Sequence, residues 1–234
     1  MAKRSVASGT ISFGLVSIPV KFYLTASAEQ VHFNMLDPRH GVRVKQQYIS
    51  PADGKVMEMS EIVKGYEYAK GQYVIFSAEE IKSLDEGDSG TMEITEFVPA
   101  DSIDLLHVEK TYYLDTGKGG DKAYRLLVTA LAKQEKCAVA QWSNRGRQHL
   151  LVIAAKGECL VAYQMYYTNE VRDFELDAAT YTPKDAELDM ACKLIEMQTT
   201  KAFDSSKYTN HYQERVLAAV EAKKLGKNVD VPSE

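Results

Sequence analysis

Five acidic residues lie close together in the segment SAEEIKSLDEGDSG, at Glu79, Glu80, Asp85, Glu86 and Asp88. Clustered carboxylates are typical ligands of catalytic metal ions, so a metal-dependent DNA-processing enzyme is one function compatible with the sequence. The segment is nevertheless typical of a short helical turn that runs into a loop, and such a run of charges is usually a solvated face. We therefore expect exposed carboxylates here and no bound metal.

Motifs for other catalytic chemistry are missing from the sequence. The stretch GKGGDK at 117–122 lacks the spacing and the final Lys-Ser/Thr of a phosphate-binding loop. Neither a G-x-S-x-G elbow nor an H-E-x-x-H pair occurs, and the five histidines are scattered. The three cysteines (Cys137, Cys159 and Cys192) have no zinc-site spacing. These features predict a protein that is not an enzyme and that carries no cofactor.

Basic residues offer a different chemistry, the binding of phosphate groups. Arg43 and Lys45 are two positions apart, so a strand would direct both side chains to one face. Arg145 and Arg147 flank Gly146 in N-R-G-R, which is typical of a loop between strands. Arginine and lysine held on a fixed frame bind the nucleic-acid backbone without reading bases.

The charge of the chain is unevenly distributed. The net charge is −5, but residues 1–60 and 111–160 carry +3 and +4, whereas residues 61–110 carry −8. Such segregation allows a positive surface on a protein that is negative as a whole. A nucleic-acid partner is therefore compatible with the composition.

The first two thirds of the chain have the pattern of short strands joined by tight turns. Alternating runs flank Pro51–Gly54, Lys70-Gly71 and Lys156–Glu158, which predicts three hairpins. Gly14 and Pro19, near a shift in the alternation of the first run, suggest a bulge or an edge position. One helix is predicted over 121–134, with Tyr124, Leu127, Val128 and Leu131 on one face. The fold class is mainly β with α, an antiparallel barrel or sandwich.

The pattern changes to helical near residue 181. Thr182 and Pro183 are suited to the cap and first position of a helix at 184–198, and a second helix is predicted over 209–225, with Gly226 after its end. We expect a core over 1–180, a helical C-terminal arm over 181–226 and a short disordered tail over 227–234. Unpaired cysteines and the lack of an apolar run indicate a cytoplasmic protein with no membrane association.

The run ISFGLVSIPVKFY at 11–23 resembles the N-terminal signature of bacterial Ku proteins. The resemblance continues in order through IVKGYEY, EITEFVP, YYLDTGKGGDKAYRLL, NRGRQHL, NEVRDF, AELDMACKLIEM and FDSSKYTNHYQERVLAAVEAK. It therefore covers nearly the whole chain, from about residue 5 to about 225.

The resemblance implies a β-barrel core with a helical arm and a homodimer that encloses a channel. It also implies binding of double-stranded DNA ends, near the nucleoid, and recruitment of the ATP-dependent ligase of end joining. Basic positions of the family pattern match Lys21, Arg43, Lys45, Arg145 and Arg147, which become the candidate DNA-binding residues. We place the dimer interface on the apolar faces of the two C-terminal helices, at Leu188, Ile195, Tyr212, Val216 and Val220.

Two departures from the family pattern bear on function. Many relatives have Cys-x-x-Cys where this chain has QYISPA at 47–52, and many carry a long Lys-rich tail where this chain ends soon after Gly226. We therefore expect no metal or redox role of that motif here, and no bridging or sliding that depends on the tail. A β-barrel interaction module with no nucleic-acid partner stays the second alternative, beside the metal-dependent enzyme.

Overall fold

The computed structural model describes residues 4–26, 31–84, 90–144, 146–174 and 182–227. The strands of these ranges are β1 (Ala7–Phe13), β2 (Val16–Leu24), β3 (Tyr48–Ile49), β4 (Val56–Met57), β5 (Lys64–Ala69), β6 (Gln72–Phe76), β7 (Thr91–Pro99), β8 (Val108–Thr116), β9 (Lys136–Asn144), β10 (Arg147–Lys156) and β11 (Cys159–Met165). The helices are α1 (Ala78–Leu84), α2 (Asp121–Gln134), α3 (Asp185–Gln198) and α4 (His211–Lys224). The chain divides into two compact units, one of residues 1–27 and 45–172 and one of residues 28–44 and 173–234.

Seven strands of the first unit form a closed barrel in the order β1-β2-β8-β11-β10-β9-β7. Six of the seven pairings are antiparallel, as predicted, and the barrel closes through a parallel pairing of β1 with β7. Closure removes the exposed sheet edges on which another chain could add. A barrel with a helical C-terminal part thus confirms the predicted fold class.

The barrel interior is filled by side chains that alternate along the strands. Phe22 is fully buried, stacks on Trp142 with ring centroids 4.4 Å apart, and meets the edge of Tyr112 at 5.6 Å. Burying an aromatic residue of this size stabilises the fold by about 1.5–3 kcal/mol. Helix α2 has its predicted bounds, and its four predicted apolar residues are buried in the same core. The barrel is therefore a packed core.

The interruption in the first apolar run is a hairpin turn, so the predicted bulge at Gly14 is wrong, whereas Pro19 has a ladder partner on one side only, as the predicted edge position requires. Phe13 pairs with Val16, and Gly14 lies between them with φ +54°. A positive φ at a two-residue turn matches the twist of the flanking strands, and glycine adopts it without strain. Pro19 pairs with Thr10 of β1, just before the ladder between β2 and β8 begins.

Two short ribbons of the first unit, β3 with β4 and β5 with β6, are two of the predicted hairpins. The third joins β10 to β11. None of the residues that the structure describes between 31 and 84 is buried, although this stretch includes large apolar side chains such as Tyr66 and Ile75. A two-stranded ribbon is only marginally stable alone, so we expect these ribbons to pack against another surface.

The C-terminal helices belong to the second unit. Helix α3 begins at Asp185 with Lys184 as its cap residue, so the predicted start at Thr182 and Pro183 is wrong. The Glu187 carboxylate accepts a hydrogen bond from the Lys184 backbone N–H at 3.0 Å, which fixes the start two residues later. Gly226 follows the end of α4 with φ +72°, as predicted. No helix in the described ranges is long and apolar enough to cross a membrane.

Candidate nucleic-acid interface

Lys21 lies on the outer face of the barrel. Its neighbours Val20 and Phe22 on β2 are buried, and the alternation of a strand directs the Lys21 side chain to solvent. Its cross-strand neighbours are Ser8 on β1 and Asp115 on β8. The ladder on both sides fixes the backbone from which this cation projects.

Arg147 opens β10 at the turn that follows β9. Gly146 has φ +72°, Arg147 pairs with Asn144, and the Arg147 side chain is exposed. The predicted loop between two strands is thus confirmed. The prediction for Arg145 concerns a residue outside the described ranges.

Arg43 and Lys45 do not share one face of a strand, so that part of the prediction is wrong. Arg43 forms an isolated bridge with Leu36, and residues 44–47 have no regular secondary structure. The Asp37 backbone N–H donates to the Val42 carbonyl at 2.9 Å, which folds the chain back within 36–43. Both side chains are exposed, but Arg43 belongs to the second compact unit and Lys45 to the first.

The described candidate cations have no acidic partner. Within the described ranges, no carboxylate lies within 4.0 Å of the charged nitrogens of Lys21, Arg43, Lys45 or Arg147, whereas Lys55 pairs with Asp53 at 3.2 Å. A cation already paired with a carboxylate offers little net charge to a phosphate. These four charges are therefore available for an anionic ligand.

A polar network that was not predicted joins β8, β10 and β11. The buried Gln164 side chain donates to the Glu109 carboxylate, accepts from the Tyr112 hydroxyl at 3.2 Å and lies 3.2 Å from Nδ1 of His149. Lys110 bonds the same carboxylate at 2.8 Å and holds the pKa of Glu109 below its usual range. Burial lowers the pKa of His149. Neutral His149 can therefore accept a hydrogen bond from the Gln164 amide. This bond lies on β10, two residues after Arg147.

The ribbon β5-β6 adds cations and aromatic residues that were not predicted as site residues. Lys64 and Lys70 lie at its two ends, and Tyr66, Tyr68 and Tyr73 are all exposed. Exposed lysines and aromatic rings on one ribbon are suited to contact with the phosphates and bases of a nucleic acid. The alternation KGYEYAKGQY contained this signal.

The acidic cluster does not assemble in the described part of the chain. Glu80 accepts a hydrogen bond from the Ser77 backbone N–H at 2.8 Å, and Glu79 is exposed. Asp85, Glu86 and Asp88 lie outside the described ranges. Among the described residues, no three His, Cys, Asp or Glu side chains lie close enough together to hold a metal ion.

The five candidate interface residues lie on α3 and α4, neither of which buries a side chain. Ile195 is 67% exposed and Val220 is 38% exposed, while Val216 is half-buried. Leu188 and Tyr212 are also exposed. Apolar helices without a buried face are rarely stable alone, because packing supplies most of their stability. Their role in an interface stays a prediction.

The fold and these surfaces define a mainly β barrel protein with a helical C-terminal part and unpaired surface cations. Comparison with known proteins is more specific, because a family model described as the Ku70/Ku80 beta-barrel domain matches residues 12–190. The chain belongs to the Ku family.

Three relatives illustrate how far the similarity extends, each named "Non-homologous end joining protein Ku". The protein of Paraburkholderia phymatum is 41% identical over 100% of this chain and 78% of its own length. The protein of Koribacter versatilis is 39% identical over 97% of this chain and 78% of its own length. The protein of Archaeoglobus fulgidus is 31% identical over 97% of this chain and 91% of its own length. The resemblance seen in the sequence motifs is confirmed.

Proposed function

We propose that this protein binds the ends of double-stranded DNA without sequence preference, as a homodimeric ring, in repair by non-homologous end joining. Membership of the Ku family supports DNA-end binding, and one contrast in burial supports the homodimer. The barrel buries its own core, but no described residue of 31–84 or 182–227 is buried. This exposure supports the proposal that a second copy or the DNA covers these elements.

A homodimer accounts for the uncovered helices. The most exposed apolar residues of the C-terminal part include Met197 and Phe203, which a monomer would leave in water. A two-fold interface requires a surface that is complementary to itself, and the apolar stripes of α3 and α4 offer one. Each Å² of apolar surface buried in this interface would then stabilise the dimer by about 25 cal/mol.

Exposed cations without acidic partners in the described ranges support DNA binding that does not depend on the base sequence. Four candidate cations are exposed and have no carboxylate partner in the described ranges: Lys21, Arg43, Lys45 and Arg147. Such charges are suited to phosphate contacts, whereas reading of the bases needs side chains aimed into a DNA groove. Contacts with phosphates alone do not depend on sequence. A ring lined in this way loads at an end and slides inward. The ATP-dependent ligase of end joining is the proposed protein partner, recruited to the bound end near the nucleoid.

A gel-shift experiment tests end binding directly. A linear duplex and a covalently closed circle of the same sequence are compared at moderate salt. We expect stable retention of the linear form alone. Equal binding to both would replace the ring by a surface contact, and binding to neither would favour an interaction module without a nucleic-acid partner.

The proposed interface predicts that Val216→Asp with Val220→Asp converts the dimer to a monomer. Each substitution would place a carboxylate in an apolar contact, which costs far more than an exposed change. Ala218→Asp is the matched control, since position 218 lies on the opposite side of α4. Light scattering measures the mass of each variant, and a double variant that stays dimeric and still holds DNA ends would refute the interface.

A further inference from the structure

Helix α2 packs against the barrel strands β2, β9 and β10, and an apolar groove of 460 Å³ lies between this helix and the ends of barrel strands. The groove is lined from the barrel by Phe13, Val16 and Phe97, and from the helix by Leu126, Leu127 and Leu131. Phe13 and Phe97 meet edge to face with ring centroids 6.1 Å apart. Leu126 is 69% exposed although it lies beside this apolar lining. The groove is therefore an apolar surface that its own unit leaves open.

The shape of the groove suits a helix. Its lining follows α2 from Ala123 to Gln134, which corresponds to about 16 Å or three helical turns. Gln134 and Lys136 are the only polar side chains among the described lining residues. Small-molecule sites need several convergent polar groups, whereas a helix in a groove needs an apolar lining with charges at its margins.

Three lysines lie at or next to the groove lining. Lys122 lies four residues before Leu126 and Lys133 seven residues after it, so all three side chains share one stripe of α2. Lys136 lies on the strand side of the groove. In the described parts of the chain, no carboxylate lies within 4.0 Å of these three ammonium groups. On the other flank of α2, Arg125 shares a separate pocket with Asp115 and Asp121. The helix side of the groove therefore carries Lys122 and Lys133, and the strand side carries Lys136.

We propose that this groove binds an amphipathic helix of a partner protein, apolar on the face that enters the groove and acidic along its margins. The apolar face would cover Phe97 and Leu126, and its carboxylates would meet Lys133 and Lys136. The proposal goes beyond DNA-end binding and does not depend on it, because none of the candidate DNA-binding residues lines the groove.

Fluorescence anisotropy with two synthetic helices tests the proposal. Both probes carry leucine at i, i+3, i+4 and i+7, and one is flanked by glutamate and the other by lysine. We expect the wild-type protein to bind the glutamate probe more tightly by on the order of tenfold, since two rim charge pairs differ in sign. Lys133→Glu with Lys136→Glu should reverse the preference.

Two further variants, together with the double lysine variant, separate the proposal from other occupants and other functions. Leu126→Glu should abolish binding of the probe, whereas Arg125→Glu should leave it unchanged. Equal binding of both probes, or of neither, would overturn the proposal. A monomeric Leu126→Glu variant would show instead that a second copy occupies the groove. Loss of DNA-end retention in the double lysine variant would assign these cations to DNA; we expect retention to be unchanged.

Discussion

Replacement of Arg147 by alanine offers the sharpest test of the proposed DNA contact. Arg147 is exposed, has no carboxylate within 4.0 Å in the described ranges, and begins a strand that is paired on both sides. Each phosphate contact contributes about 0.9 to the slope of log K against log salt concentration. A homodimer loses two such contacts, so the slope should fall by about 1.8.

This change in slope has a measurable effect on affinity. Between about 50 and 200 mM salt, wild-type affinity should fall by roughly twelvefold more than that of the variant. The assay is the equilibrium binding of a linear duplex over this range, with two unrelated sequences. Arg147→Lys keeps the charge and should keep the slope, and Lys55→Ala should also keep it because Asp53 already pairs with Lys55 at 3.2 Å. An unchanged slope for Arg147→Ala, or a loss confined to one sequence, would refute the phosphate contact.

Two further predictions concern the barrel that carries these residues. The Tyr124 hydroxyl donates a hydrogen bond to the Leu114 carbonyl and accepts one from the Leu160 backbone N–H at 2.8 Å. Tyr124→Phe therefore leaves two buried groups unpaired. This substitution should lower the free energy of unfolding by about 2–4 kcal/mol. Urea unfolding at fixed protein concentration measures the loss; exposed Tyr113→Phe should change it by less than about 0.5 kcal/mol, and equal losses would contradict the role of these bonds. Burial lowers the pKa of His149 from 6.5, so the folded state binds fewer protons than the unfolded state, and stability should fall as the pH drops from 6.5 towards the folded pKa. His149→Gln should flatten the unfolding free energy over this range, and the same acid dependence in the variant would assign it to other groups.

Local patterns predicted several elements of this protein accurately. The apolar stripe of α2 required only its 3.6-residue period, and its four predicted residues are buried. The turn residues at Pro51–Gly54 and Lys70-Gly71 indicated the two ribbons because turn geometry depends on the residues of the turn itself. The ordered motifs along the chain were sufficient to indicate the Ku family, which the comparisons confirm.

The candidate site was less accessible to such reasoning. Alternation placed Arg43 and Lys45 on one strand face, but the hydrogen bond from Asp37 to Val42 folds the chain locally and removes the strand. The network around Gln164 joins residues 15 and 55 positions apart, so no short pattern contains it. Only the spatial arrangement showed that, within the described ranges, Lys21, Arg43, Lys45 and Arg147 have no carboxylate within 4.0 Å.

The sequence by itself thus determined three of the hairpins, the helices and the family, because turn preferences and side-chain periods act between near neighbours. Tertiary structure alone decided how the barrel closes. The parallel pairing of β1 with β7 brings Gly9 against Gly90, where an added Cβ would lie 2.5 Å from the Gly90 carbonyl oxygen. Which distant strands meet depends on the packing of the whole core around Phe22 and Trp142, and that free energy belongs to no single segment.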